Sequence, residues 1–372
     1  MNKQRRIRQL LARITEDRDG AMLSTHALVA EFGVSEITMR RDLQELADAG
    51  LIQRRHGGVL GASRRATGAK SIGIVVISFQ GKFSHPFYNE LLEGADSELH
   101  CLGYAPAFVK TFAEVSTRAQ IQALSQLHPI SGLLILGELD DEKCRLWNGV
   151  TSHIVSAPSI ISPQITAITY DGYLAMRQLL DHLVKLGRRR IGLIVGQSDA
   201  GRMDDRMRGY LAGIAEHDLE RDESLCFSVV HTLERLPSKI GREGAEHLMR
   251  LAQPPDAIMC SSDTIALGAM QWLQVAGCKI PDDVAVTGFD NLPDAQVVYP
   301  SISRRWARWK LWFDNLPDAQ VVYPPLTTVH LHKHLLGRLA AEQVHRRIEH
   351  PDDPPLTVVT PTSLVIRRSC GA

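Results

Sequence analysis

From Ile72 onward the chain alternates continuous apolar runs with amphipathic stretches, and few folds accept that pattern. The runs are Ile72–Ser78 (IGIVVIS), Gly132–Gly137 (GLLILG), Ile191–Gly196 (IGLIVG), Asp256–Cys260 (DAIMC) and Val284–Gly288 (VAVTG). Short runs with no polar alternation are strands buried on both faces. Between them, Phe87–Leu102, Gly172–Leu186, Gly241–Leu251 and Thr264–Ala276 read as helices. Such alternation predicts an α/β fold with doubly wound parallel sheets. About 300 residues of it are too many for one core, so two lobes are expected over residues 71–372.

The first 60 residues follow a different rule. Ile7, Leu10, Leu11 and Ile14 fall at helical spacing and mark a first helix. Ser24 or Thr25 caps a second, shorter one, with Leu28, Val29 and Phe32 inward, and Gly33 makes the turn. Ser35 is a good N-cap for a third helix, whose apolar stripe is Met39, Leu43 and Leu46. Arg40 and Arg41 lie off that stripe. Leu51–Arg55 and Val59–Leu60 then read as two short strands joined at His56-Gly57-Gly58. Three helices followed by a basic ribbon predict a winged helix-turn-helix over residues 1–60, built to lay one helix in a DNA groove. Residues 61–70 (GASRRATGAK) are small, polar and basic, the composition of a linker.

Charge supports the division. The net charge is zero, yet residues 1–70 carry +5 and the remainder −5, a basic head on an acidic body. The N-terminus lacks the apolar core of a secretory signal, and no run of about 18 apolar residues occurs, so a cytoplasmic protein without a membrane span is expected. The six cysteines are scattered with no CxxC pair, which fits reduced thiols better than disulfides or zinc.

The motif F-G-V-S-x-x-T-x-R-R-D-L-x-x-L-x-x-x-G-L-I-x-R-x-H-G-G, over Phe32–Gly58, resembles the DeoR-type helix-turn-helix. The resemblance implies that Ser35, Glu36, Thr38, Arg40 and Arg41 face DNA, with Arg54, Arg55 and His56 on the wing. Arginine suits the task because its planar fork pairs with guanine or phosphate. Either Arg40 or Arg41 can be the base reader. Glu36 also serves as a favourable charge at a helix N-terminus.

Farther on, SHPFYNELLEGADSELHCLGY, YDGYLAMRQLLDHLVKLGRRRIGLIVG, DDRMRGYLAGI and SSDTIALGAMQWLQVAGCKIPDDVAVTGFDN resemble the effector domain of LacI-type repressors. That domain has the two-lobed, periplasmic-binding-protein-like fold. The chain thus reads as a hybrid, with a DeoR-type head in place of the LacI-type one and no hinge-helix periodicity in the linker. Ligands of open α/β sheets bind beyond the carboxyl ends of the strands. Those ends supply Phe79 and Gln80, Ser262 and Asp263, and Asp290, while Arg206 stands in R-x-x-G-Y. In the LacI-type pattern the matching arginine and the aspartate of G-F-D hold the ligand. A carboxylate and a guanidinium suit vicinal hydroxyls, one accepting and the other donating. Phe79, Phe87 or Tyr88 would add an apolar wall. The competing reading has Asp263 and Asp290 capping turns and Arg206 on an exposed helix face. Ser262 departs from the asparagine common in that family.

FDNLPDAQVVYP occurs twice, at Phe289–Pro300 and Phe313–Pro324. Joining Pro300 to Pro325 restores a family-like crossover, so residues 301–324 read as a duplicated insert. Asp290 directly follows a strand and is preferred for the cleft, with Asp314 its rival. Trp306, Trp309 and Trp312 among basic residues mimic a nucleic-acid-binding stripe, but inserted loop is the better reading. No GxGxxG follows the first strand and no GxxxxGK[ST] occurs. His330, His332 and His334 alternate, yet no Cys or carboxylate stands at metal-ligand spacing. No catalytic constellation, metal or cofactor is expected. The resemblances imply a homodimeric repressor that binds a double-stranded operator under control of a small effector. A sugar is the favoured effector and a nucleoside or purine the alternative. A transport solute-binding protein and a sugar enzyme are the rival classes, the first opposed by the head and the second by the missing acid–base pair.

Overall fold

Ser24 and Gly33 bracket the first complete helix of the N-terminal unit. The structure, a computed structural model, describes residues 6–7, 9–10, 13, 23–48, 52–55, 58–61, 71–77, 83, 85–147, 149–197, 204–230, 236–296 and 324–372. They fall into two units, Met1–Lys70 and Ser71–Ala372. In the first, β1 (Leu23–Ser24) leads into α1 (Thr25–Phe32) and α2 (Glu36–Asp48), followed by β2 (Ile52–Arg55) and β3 (Gly58–Gly61). The Ser24 hydroxyl accepts from the Ala27 N–H, and Gly33 closes α1 at φ +60°, a left-handed conformation that glycine adopts without strain. The three strands pair antiparallel in the order β1-β3-β2. Leu10, Leu28, Met39, Leu43 and Leu46 form the core beneath them, so the anticipated stripe of α2 is the buried one. Leu11, Ile14, His56 and the linker from 62 to 70 lie outside the described residues.

The second unit begins with β4 (Ser71–Val76), α3 (Pro86–Cys101), β5 (Ala105–Thr111), α4 (Arg118–Leu127) and β6 (Gly132–Leu136). After a short helix, α5 (Asp141–Cys144), come β7 (Ile154–Ala157), β8 (Thr166–Tyr170) and α6 (Gly172–Lys185). A second lobe follows as β9 (Ile191–Gln197), α7 (Asp205–Glu216), β10 (Cys226–Val230), α8 (Pro237–Met249), β11 (Ala257–Cys260), α9 (Asp263–Val275) and β12 (Ala285–Thr287). The chain ends with β13 (Thr328–Leu331), α10 (Lys333–Glu349), β14 (Thr357–Thr360) and β15 (Thr362–Val365).

Two parallel sheets result, ordered β14-β8-β7-β6-β4-β5 and β10-β9-β11-β12. The fully buried β4, β6 and β11 explain the unbroken apolar runs. The lobes are joined three times: from β8 into α6, from β13 into α10, and from β14 into β15, which pairs antiparallel with β13. Because β14 returns to the first sheet, the C-terminal residues belong to both lobes.

Helix pairs on the sheets are set by glycines. A Cβ at Gly241 of α8 would stand 1.9 Å from the Ile265 carbonyl oxygen of α9, and one at Gly337 of α10 would stand 1.9 Å from that of Leu91 on α3. Backbone that close cannot yield as a flexible side chain would. Gly337→Ala is therefore expected to cost about 1–3 kcal/mol, read as a lower urea midpoint with an unchanged slope.

The duplicated segment leaves and re-enters the fold at one place. The Leu326 N–H donates to the Ala295 carbonyl at 3.0 Å. Residues 297–323, with Asp314 and the Trp-rich stretch, lie outside the described residues. Phe289 and Asp290 of the first copy are built into the lobe junction, 0% and 7% exposed. Of the cysteines, Cys144, Cys260 and Cys370 are buried, Cys226 and Cys278 half-buried and Cys101 exposed, all as free thiols.

Candidate functional site

In the N-terminal unit, burial divides α2 into two faces. Met39, Asp42, Leu43 and Leu46 are buried, while Glu36, Arg40, Arg41 and Gln44 are exposed. The Ser35 hydroxyl accepts from the Thr38 N–H at 3.3 Å and pairs with the Thr38 hydroxyl at 2.9 Å, capping the helix. Glu36 holds Arg40 at 2.6 Å, one turn away on the surface. Arg41 projects with no partner among the described residues. Arg54 and Arg55 lie on β2, opposite Val59 and Gly58 of β3. Sequence reasoning missed Asp42, the acid that follows the two arginines. It is fully buried and accepts from Arg6 Nε at 2.6 Å, tying the first helix to α2.

In the second unit, the strand ends of both lobes converge on Asp290. Its backbone has φ +115°, and Asn291 follows at φ +52°, both in the left-handed region that favours glycine. The surrounding hydrogen bonds hold this strain in place. The Asp290 N–H donates to the Val329 carbonyl at 2.9 Å, and its own carbonyl accepts from the buried Lys333 Nζ at 2.8 Å. Asp263 secures the flanks, its N–H donating to the Phe289 carbonyl at 2.6 Å and its carboxylate accepting from the Leu292 N–H at 2.6 Å. The Asp290 carboxylate itself receives no hydrogen bond among the described residues. Burial and the Asp263 charge push its pKa well above the carboxylate range, with Arg206 and Lys333 opposing.

Arg206 is placed by Asp204, two residues earlier at the start of α7. Its Nε donates to Asp204 Oδ1 at 2.8 Å, its Nη2 pairs with Oδ2, and Nη1 donates to the Ser261 carbonyl at 2.7 Å. The guanidinium lies 5.7 Å from the centroid of the Phe289 ring, a cation–π distance. Tyr170, the last residue of β8, tilts against the same ring at 5.7 Å. Burial drives the Tyr88 and Tyr170 phenols up, so both stay neutral donors; Glu138 and Asp290 act on both. Groups from both lobes thus approach one another at the junction: Tyr88, Glu138 and Tyr170 from the first, Arg206 from the second, and Asp290 between them.

The anticipated residues do not all belong here. Asp263 is a correction: its carboxylate is fully buried and committed to Leu292 and to the Thr328 hydroxyl at 2.5 Å, so it positions the Asp290 loop. Ser262 likewise caps α9, its hydroxyl accepting from the Ile265 N–H at 3.3 Å. Phe87 is 7% exposed and packs in the core beside Tyr88, at 5.3 Å between ring centroids, instead of forming an open wall. Phe79 and Gln80 lie outside the described residues. Tyr170, Asp204 and Glu138 were missed, although Tyr170 and Glu138 satisfy the same strand-end rule. Lys333 carried no signal. His330 is occupied by Asn291 at 3.1 Å and His332 at 4.7 Å between rings, and no group of three or more potential metal ligands occurs among the described residues.

A winged head and a hinged pair of lobes with a polar cleft at their junction define a ligand-controlled DNA-binding regulator. Residues 69–368 match the family described as periplasmic binding proteins and sugar binding domain of LacI family, and residues 6–65 match the DeoR-like helix-turn-helix domain. The chain belongs to that LacI-type family and carries a DeoR-like head; it is a transcriptional regulator of the repressor class. It is 25% identical over 315 residues to the HTH-type transcriptional repressor PurR of Actinobacillus pleuropneumoniae, covering 82% of this chain and 83% of that one. The ribose operon repressor of Haemophilus influenzae is 25% identical over 311 residues, 81% of each chain. A solved transcriptional regulator CelR–cellobiose complex shares the fold at TM-score 0.64 and 22% identity, covering 90% of this chain and 91% of that one. No helix among the described residues is long and apolar enough to cross a membrane.

Proposed function

We propose that this regulator is a cytoplasmic homodimeric repressor whose operator affinity is set by a sugar bound between the lobes. The observation that carries the reading is the carboxylate of Asp290, a residue 7% exposed, which has no hydrogen-bond donor among the described residues and lies near Arg206 at the lobe junction. An acceptor so shielded from water gains from a hydroxyl-bearing ligand that donates to it. Neutral phenols at Tyr88 and Tyr170 supply further donors, and the Phe289 and Tyr170 rings supply an apolar side. The ribose operon repressor among the relatives supports a sugar. Ligand closes the lobes about their three crossovers, and closure changes how two heads meet successive half-sites of a near-palindrome. Ligand and DNA are then reciprocally coupled. The protein acts by binding, not turnover.

The test is a melting-temperature screen of sugars and nucleosides, followed by gel shifts on genomic fragments with each stabilising compound. A sugar present at about a hundredfold its Kd stabilises by about 2.7 kcal/mol and alters the shift. Stabilisation by nucleosides alone refutes the sugar reading, and stabilisation without any change in the shift refutes the coupling.

A further inference from the structure

The cleft is unevenly charged. The groups that act electrostatically on the Tyr88 and Tyr170 phenols are three carboxylates, Glu138, Asp290 and Asp204, and one guanidinium, Arg206. That guanidinium is already engaged, since Asp204 takes Nε and Nη2 while the Ser261 carbonyl takes an N–H of Nη1. A guanidinium has five N–H groups, so two remain for hydroxyl oxygens, but its charge is matched by Asp204. Lys333 is committed as well: its Nζ donates to the Asp290 backbone carbonyl at 2.8 Å and lies 3.5 Å from Glu90 Oε2. Asp290, a residue 7% exposed, therefore has a carboxylate that receives no hydrogen bond among the described residues, beside cations that other groups hold. Burial favours its neutral form, and its ionised form needs a paired and hydrogen-bonded counter-charge. Among the described residues none is left to give it.

We propose that the cleft takes a small polyhydroxylated molecule bearing a protonated amine, an amino sugar, with Asp290 receiving the ammonium. The inference rests on the sugar reading above and narrows it. The ligand's hydroxyls meet the two remaining Arg206 N–H groups and the Tyr88 and Tyr170 hydroxyls. A carboxylated or phosphorylated sugar is disfavoured, because Asp204 already matches the Arg206 charge and holds its Nε/Nη2 edge.

Titration calorimetry on the full-length chain tests this with glucosamine, galactosamine and mannosamine, each against its parent hexose and its N-acetyl derivative. Glucuronate and adenosine complete the panel. The tightest binder is expected to be a free amine, about tenfold or more tighter than its neutral counterparts. Asp290→Asn should bring that ratio to about one, with a circular dichroism spectrum like that of the parent protein. Asp204→Asn, which removes the charge that matches Arg206, should raise glucuronate affinity several-fold. A parent hexose or glucuronate binding as tightly as the amine overturns the inference and leaves the sugar reading intact. Binding of adenosine alone, or silence across the panel, overturns both.

Discussion

Arg41→Ala is expected to lower operator affinity by about one to two orders of magnitude while leaving the melting temperature of the protein unchanged. One bidentate arginine contact to a base is worth about 1–3 kcal/mol of discrimination. Arg41 is exposed on the face of α2 opposite Met39, Leu43 and Leu46, so its removal opens no cavity. Arg40→Ala should weaken binding less, because Arg40 must first give up Glu36 at 2.6 Å. Both variants should keep their full ligand-induced stabilisation, since the cleft lies in the other unit. An operator selected from genomic fragments supplies the duplex, and anisotropy titrations give the constants. Unchanged affinity in both variants would remove α2 from the DNA interface.

Asp263→Ala carries the largest expected stability effect. The carboxylate is fully buried and accepts from the Leu292 N–H at 2.6 Å and the Thr328 hydroxyl at 2.5 Å. Truncation leaves two buried donors unsatisfied, each at about 1–3 kcal/mol, so a loss of about 2–5 kcal/mol is expected. Ligand affinity should fall too, because the Asp290 backbone loses its restraint. The pH dependence has a definite sign. Burial raises Asp263 from 3.8 to about 7, with Thr328, Leu292, Arg367 and Lys333 opposing. The neutral acid is thus the form that folding favours. Its contribution is fully present below the unfolded value and is lost as pH rises through about 7. Asp263 contributes a loss of stability between about pH 4 and pH 7, so the stability difference between the parent and Asp263→Asn should fall across that window. Asp290, raised in the same direction, gives a parallel slope that Asp290→Asn removes. A difference that rises across this window would contradict the assignment.

The sequence carried the periodic features of this molecule and little of what a single hydrogen bond decides. Unbroken apolar runs identified β4, β6, β9, β11 and β12 because a strand covered on both faces has no polar alternation to hide it. The Met39/Leu43/Leu46 stripe and the Gly33 turn were legible for the same kind of reason. β1 was not, since two residues carry no period; it is recruited by β3 through Leu23 and Val59. The return of β14 to the first sheet is a tertiary choice that leaves no local mark. At the lobe junction, the strand-end rule pointed to Asp290 and the R-x-x-G-Y match to Arg206, two groups that the fold brings near one another. The strand-end rule also selected Asp263 and Ser262, because an acid or hydroxyl at a strand end reads alike whether it meets a ligand or caps the next helix. Asp204 and Lys333 act through the partners they hold, Arg206 and the Asp290 carbonyl, and spacing does not encode partners.

One polypeptide is expected to couple DNA affinity to ligand occupancy at the lobe junction. The most direct test of this coupling is anisotropy of a labelled operator duplex, titrated with full-length protein at several salt concentrations with and without saturating ligand. Attachment is expected to weaken linearly in log–log form with salt, and the operator constant to shift about fivefold or more when ligand is added. One constant for both states, or no salt-sensitive binding to any duplex, would contradict it.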